Sequence, residues 1–231
     1  MSKIIKQDRS VIVACDVGTI EKLKELVEET SNVDGIGGFK IGFSLVVPFG
    51  VEKVVSTIND VTDLPIIYDH QKAGTDIPDL ADTFMKSIRG VNAVILFPQA
   101  GPETEKSWIT AAKKAGYGVI VGGEMTHKGY LVGDGGFIAD NAPERIYTIA
   151  SAAGVNDFVV PGNKPDRIKE YREMLERFKP VFYSPGLVAQ GGKLTESAKA
   201  AGERWHAIVG RGIYQQKDMH NAAKELVKEI I

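Results

Sequence analysis

The sequence predicts a TIM (β/α)8 barrel, a single domain over residues 1–231. Three observations carry this. Eight short apolar, β-branched runs alternate with eight helical patterns, the count and size of a compact barrel. The connections are short, and no composition shift or Pro/Ser-rich linker marks a boundary. Charged and glycine-rich stretches gather where the apolar runs end, the face on which barrels of parallel strands bind ligands. A doubly wound open sheet is the alternative. It wants Gly-x-Gly-x-x-Gly after its first strand, whereas the first run here ends Cys15-Asp16-Val17-Gly18.

Ser10–Asp16 is the first apolar run, and Thr19–Glu28 follows with helical spacing at Ile20, Leu23, Leu26 and Val27. Thr19, with Lys22 rather than Glu at the fourth position, makes only a partial cap. Gly35–Gly42 is the second strand, ending near Lys40, and Leu45–Ile58 is helical. Pro65–Tyr68 is the third strand. Its helix opens at Ile77-Pro78-Asp79, with Asp76 as cap and Pro78 in the first turn, and continues from Leu80 to Arg89. Val91–Phe97 is the fourth strand, and a helix runs from Gly101 through Trp108 to Ala115. Tyr117–Gly122 is the fifth strand. Gly123–Ala142 is a long loop with at most short helices, and Pro143–Ala153 is the next helix. Asp157–Val160, Val181–Tyr183 and Trp205–Val209 are the last three strands. Pro165–Phe178, Thr195–Ala201 and Met219–Ile230 are their helices.

Composition excludes several classes. Lys+Arg 28 against Asp+Glu 30 is nearly balanced, and the chain has no basic block, so nothing points to nucleic acid. Cys15 is the only cysteine; an internal disulfide is impossible and a reducing cytoplasm fits. The residues Met1–Asp8 carry no apolar signal core, and no run approaches a membrane span. One cysteine and four scattered histidines give no zinc spacing, so no metal is expected.

The strand ends hold the candidate site. Asp69, Lys72 and Asp76 share one strand-to-helix loop with Gly74 between them, and Asp16 and Lys40 end the first two strands. A lone acid there is more often a cap or a surface charge. Two lysines and three aspartates converging from three strands instead hold one another in fixed charge states. A second element lies in the last two loops. Gly186, Gly191 and Gly192 expose backbone N–H groups, Gln190 stands among them, and Gly210-Arg211-Gly212 follows the eighth strand. Barrels bind phosphate between these two loops, and an arginine can grip it bidentately. His127, a lone loop histidine, is given no role.

With these residues in view the chain resembles the orotidine 5'-phosphate decarboxylase superfamily over essentially its whole length. The matching pieces are Ala14-Cys15-Asp16, Phe39-Lys40-Ile41-Gly42, the Asp-Lys-Asp loop, Glu124-Met125-Thr126-His127, Pro161-Gly162-Asn163-Lys164-Pro165, Ser184-Pro185-Gly186 with Ala189-Gln190-Gly191-Gly192, and Val209-Gly210-Arg211-Gly212-Ile213. The resemblance implies a homodimer without metal or organic cofactor that makes UMP from orotidine 5'-phosphate. It implies that Asp16 binds the ribose. Lys40, Asp69, Lys72 and Asp76 form the catalytic row, with Lys72 the proton donor and Asp76 reaching into the partner subunit's site. Thr126 stands where the family usually has serine over the pyrimidine, Pro185 joins the substrate contacts, and Gln190, Gly210 and Arg211 hold the phosphate. The family pattern is Asp-x-Lys-x-x-Asp; here Asp69-x-x-Lys72-x-x-x-Asp76 is two residues longer, and Leu80 replaces a family threonine. Three functions stay open. One is decarboxylation. Another is a magnesium-dependent phosphosugar reaction of the same superfamily, against which Lys40 at the second strand end argues. The third is nucleotide binding without catalysis.

Overall fold

The computed structural model describes residues 3–71, 73–188 and 190–230. Eight parallel strands pair in sequence order and close on themselves: β1 (Arg9–Ala14), β2 (Ile36–Gly42), β3 (Ile66–Asp69), β4 (Ala93–Leu96), β5 (Gly118–Gly122), β6 (Asp157–Val159), β7 (Val181–Ser184) and β8 (Trp205–Val209). The barrel expected from the eight runs is therefore present. Helices surround it: α1 (Ile20–Thr30), α2 (Phe43–Phe49), α3 (Val51–Asn59), α4 (Ala81–Ser87), α5 (Pro102–Lys114), α6 (Ala142–Ala152), α7 (Pro165–Leu175), α8 (Leu194–Ala201), α9 (Arg211–Tyr214) and α10 (Met219–Lys228). Among the described residues no helix is long and apolar enough to cross a membrane.

Two local readings are corrected, and one short helix went unread. The single helix expected over Leu45–Ile58 is two, because Gly50 between α2 and α3 adopts φ 78°, outside the helical region, just after Pro48. Asp76 does not cap the next helix. Its Oδ1 accepts from the N–H of its neighbour Ile77 at 2.7 Å, and a 3₁₀ turn, Pro78–Leu80, leads into α4. The one-turn helix α9 had no signal of its own length. The long loop after β5 behaves as expected, with only a short 3₁₀ turn at Val132–Asp134. Thr19 accepts from Lys22 N at 3.2 Å, the partial cap its sequence allows.

Side chains alternate along each strand, so one parity faces the helices and the other the barrel axis. Val11, Val13, Phe39, Ile41, Ile66, Tyr68, Val94 and Leu96 point outward into the sheet–helix core. Ile12, Ala14, Ile67, Ala93, Ile95, Ile120, Val159, Tyr183 and Ile208 pack inside. Below this apolar layer, at the amino end of the strands, the interior is polar. Ser10 Oγ lies 2.8 Å from His206 Nδ1, and Tyr183 donates to Asp157 at 2.9 Å. Burial pushes the His206 imidazole down to about 3 and the Asp157 carboxyl up to about 6. Ile4 and Ile5 close this end: an added Cβ at Gly118 would lie 2.6 Å from Ile4, and one at Gly37 2.8 Å from Ile5. The inward parity continued past the carboxyl ends of the strands reaches the site.

Candidate active site

Two residues beyond inward-facing Ala14 comes Asp16. Lys40 is inward on β2, Asp69 is two beyond Ile67, and Gly210 is two beyond Ile208. The barrel register sets Lys40 beside Ala14 on one side and Ile67 on the other. Its side chain is 6% exposed, and its Nζ lies 3.4 Å from Asp16 Oδ1 and 3.3 Å from Asp69 Oδ2. Burial works against the ammonium, but the carboxylates of Asp69 and Asp16 outweigh it and hold the lysine above its ordinary pKa. Asp69 uses its second oxygen to accept from the Gln71 N–H at 3.0 Å. One carboxylate thus orients both Lys40 and the start of the following turn, where Gln71 takes φ 40°.

These groups line a cavity of about 260 Å³ at the carboxyl end of the barrel, together with Thr126, Pro185, Gln190, Gly210 and Arg211. Asp16, Lys40, Asp69 and all five of those candidates therefore share one space. Lys72 lies outside the described residues. Asp76 does not share the cavity in this chain: it is exposed, and its carbonyl accepts from Thr104 Oγ1 at 2.9 Å. The expected convergence of three aspartates is corrected to two within this chain, since Asp76 lies on the exposed turn that leads into Pro78–Leu80. His127 is exposed, with its ring edge-on to Tyr130.

One wall is built from the loops after β5 and β7. Gly186 adopts φ 87°, and a Cβ there would lie 2.6 Å from Thr126 Cγ2, so both backbone and space require glycine where the threonine methyl rests. Asn163 Nδ2 holds the Thr126 carbonyl at 2.9 Å. Glu124, 2% exposed, also lines the cavity. Its carboxylate accepts from Lys164 at 2.8 Å, from Arg167 Nε at 3.1 Å and from the Tyr171 hydroxyl. Burial would raise this acid, but the three donors more than offset it, and its pKa is lowered. At the opposite rim Gly210 precedes α9, which carries exposed Arg211 and the cavity residue Tyr214. The Val188 N–H bonds the Gly192 carbonyl at 2.9 Å, closing the glycine-rich loop that bears Gln190.

Sequence reasoning gave no role to Phe97, Glu124 or Tyr214. Strand parity could have found the first two: Phe97 is two beyond Ile95, and Glu124 is two beyond Gly122. Among the described residues no group of three His, Cys, Asp or Glu side chains is placed to hold a metal ion. The geometry provides a protonated amine between two carboxylates, a polar threonine wall and an arginine at a glycine-lined rim. That set can bind a phosphorylated polar ring and stabilise charge on it.

The chain is similar to known proteins over nearly its whole length. A family model described as orotidine 5'-phosphate decarboxylase / HUMPS matches residues 9–226. An orotidine 5'-phosphate decarboxylase from Methanosarcina mazei is 31% identical over 229 residues, covering 98% of this chain and 97% of the relative. One from Methanocaldococcus jannaschii is 29% identical over 216 residues, 93% of this chain and 95% of the relative. The crystal structure of an orotidine 5'-monophosphate decarboxylase from Methanocaldococcus jannaschii, complexed with the inhibitor BMP, superposes with TM-score 0.84 at 26% identity, covering 96% of this chain and 98% of the other. A Pyrococcus horikoshii orotidine 5'-phosphate decarboxylase structure gives 0.79 at 26% identity over 95% and 98%.

Proposed function

The chain belongs to the orotidine 5'-phosphate decarboxylase / HUMPS family, and from that premise we propose that it is a carboxy-lyase converting orotidine 5'-phosphate to UMP in pyrimidine biosynthesis, without metal or organic cofactor. The observation that carries the reading is the Asp16–Lys40–Asp69 row, with Lys40 buried at its centre, facing a glycine-lined rim with Arg211 across one cavity. In this reading Gln190, Gly210 and Arg211 hold the phosphate, Asp16 the ribose, and Thr126 with Pro185 the pyrimidine. Asp69 stands beside the C6 carboxylate, and its charge raises the bound substrate more than the transition state. The C6–carboxylate bond breaks and carbon dioxide leaves. The electron pair stays on C6 in the ring plane, where no cofactor accepts it. Lys72 donates its proton to C6, forming the C–H bond of UMP, and the neutral amine is reprotonated from water. Lys40 bridges Asp16 and Asp69 and offsets their mutual repulsion throughout.

The other branch of the family is disfavoured by the same row. An enediolate reaction needs a divalent cation between acids, and the Lys40 ammonium already stands between Asp16 and Asp69. Binding without catalysis is favoured by one observation, the two-residue expansion of the Asp69–Asp76 loop. The test follows loss of orotidine 5'-phosphate absorbance with and without EDTA. Turnover indifferent to EDTA is expected. Turnover abolished by EDTA, or UMP binding with no turnover, overturns the reading.

A homodimer belongs to the same proposal. Phe43, Val47, Ile77 and Leu80 are 49%, 72%, 57% and 41% exposed on the segments after β2 and β3, and Ile77 directly follows Asp76. Burying them against a second copy would carry Asp76 toward the partner's cavity. A cytoplasmic location is also part of it, supported by the lone Cys15, buried as a free thiol.

A further inference from the structure

Gly122 ends β5 without a positive φ, so its backbone does not require glycine; its surroundings do. A Cβ there would lie 2.2, 2.4 and 2.6 Å from Cζ, Cε2 and Cε1 of Phe97. The far end of the phenyl ring therefore rests directly on the Gly122 backbone. Phe97 is 7% exposed, packs in the inner-barrel cluster and lines the mouth cavity. Its backbone N–H donates to the Ala73 carbonyl at 2.7 Å. The next residue, Pro98, continues the contact: a Cβ on Gly74, which has φ 94°, would sit 3.4 Å from Pro98 Cα. The segment Ala73-Gly74 thus lies along Phe97-Pro98, tied by a bond of normal length to a buried anchor.

On the other side of position 72, Gln71 N–H is bound to Asp69. Residues 71 and 73 are each tied down, Gln71 by its N–H to the Asp69 carboxylate and Ala73 by its carbonyl to the Phe97 N–H just beyond β4. The Phe97 anchor extends around the barrel mouth. Gln99 N–H bonds the Phe97 carbonyl at 2.8 Å, Gln99 Nε2 bonds the Tyr130 hydroxyl at 3.0 Å, and that hydroxyl donates to the Gly123 carbonyl at 3.1 Å. Phe97 is therefore held to β5 twice, by its ring on Gly122 and through Gln99 and Tyr130 to Gly123.

We propose that Phe97, seated on Gly122, is a positioning residue for the reaction, fixing the chain immediately after Lys72 so that the ammonium meets C6. This rests on the decarboxylase reading. Phosphate and ribose contacts lie across the cavity on β1, β7 and β8, so displacement of this anchor changes turnover much more than affinity. A misplacement near 1 Å at the proton donor lowers kcat roughly 100-fold.

The test uses Gly122→Ala, Phe97→Leu and the double variant in the full chain, with far-UV circular dichroism as the folding control. Gly122→Ala drives a methyl into the ring; kcat should fall roughly 100-fold while KM and UMP affinity by calorimetry change about threefold or less. Phe97→Leu removes the ring atoms that meet that methyl and keeps the backbone bond; alone it should lower kcat about tenfold. The double variant should recover at least tenfold in kcat over Gly122→Ala, since the collision is shared between the two positions. Wild-type kcat in both single variants, or a double variant as slow as Gly122→Ala, overturns the proposal. So does a loss of UMP affinity matching the loss of kcat, which would make the seat a general wall. If Gly122→Ala fails to fold, Phe97→Leu decides alone by the same kcat-against-affinity split. A wild-type protein without turnover instead overturns the decarboxylase reading, and this role falls with it.

Discussion

Lys40 is the residue on which the electrostatics of the mouth turn. Its two carboxylate partners come from different strands, and without it Asp16 and Asp69 would face each other across the cavity. Lys40→Ala should cost about 3 kcal/mol of unfolding free energy, the low end for breaking a buried pair because Asp16 is 39% exposed, and should abolish turnover. Urea denaturation and the absorbance assay measure the two effects. The folded pKa of Lys40 is raised, so its contribution is complete below the unfolded value near 10.5 and fades only as pH rises through the folded one. Lys72 is expected to behave differently. Lys72→Ala should abolish turnover and leave UMP affinity nearly unchanged, because the proton is needed in the reaction and not for phosphate or ribose binding. Near-normal turnover in that variant, with none in Lys40→Ala, would move the proton donor to Lys40. Arg211→Ala should weaken UMP by about 1.5–3 kcal/mol and uridine hardly at all; equal losses on both would make the arginine structural.

Two elements carry physical tension that experiments can read. α5 packs against α6, and between them Glu105 is 1% exposed, with Oε1 bonded to no described group. Burial pushes its carboxyl from 4.5 up to about 8. A raised acid favours the folded state when protonated, so its contribution is complete below 4.5 and is lost as pH climbs through about 8. Glu105→Gln should therefore be more stable than wild type at about pH 8, with the difference shrinking toward about pH 5, in paired urea melts. A constant difference would mean that the carboxyl is already ionised in the fold. The second element is the break between α2 and α3. Gly50 has φ 78° and open space where a Cβ would stand, so Gly50→Ala tests backbone strain with no steric contact. It should cost about 1–3 kcal/mol, measured by the same denaturation.

At the scale of the whole molecule, the exposed apolar segments after β2 and β3 decide assembly. Light scattering should find a mass twice the 25.0 kDa of the chain, and Val47→Glu with Ile77→Glu should shift it toward the monomer. Loss of turnover in that monomer, with UMP affinity retained, is expected if Asp76 serves the partner subunit's site. A monomeric wild type at working concentration would refute the assembly.

The alternation of eight apolar runs with helical patterns determined the α/β class by itself, and with the missing Gly-x-Gly-x-x-Gly turn it pointed to a barrel over an open sheet, because buried parallel strands read as continuous apolar runs and need helical crossovers. It also marked the strand ends as the site, and the glycine-rich loops with Arg211 as the rim, since only backbone-exposing loops follow β7 and β8. Distances across the barrel were decided by tertiary structure. Lys40 and Asp16 are 24 residues apart, and the register of a closed sheet, not their local sequence, brings them to 3.4 Å. The same holds for Gly122 beneath Phe97 and for Glu124 among Lys164, Arg167 and Tyr171. Local sequence states which face a side chain takes. Which residue it meets there depends on stagger and loop path, and Asp76 is where path overrode pattern, its exposed turn lying outside its own chain's cavity.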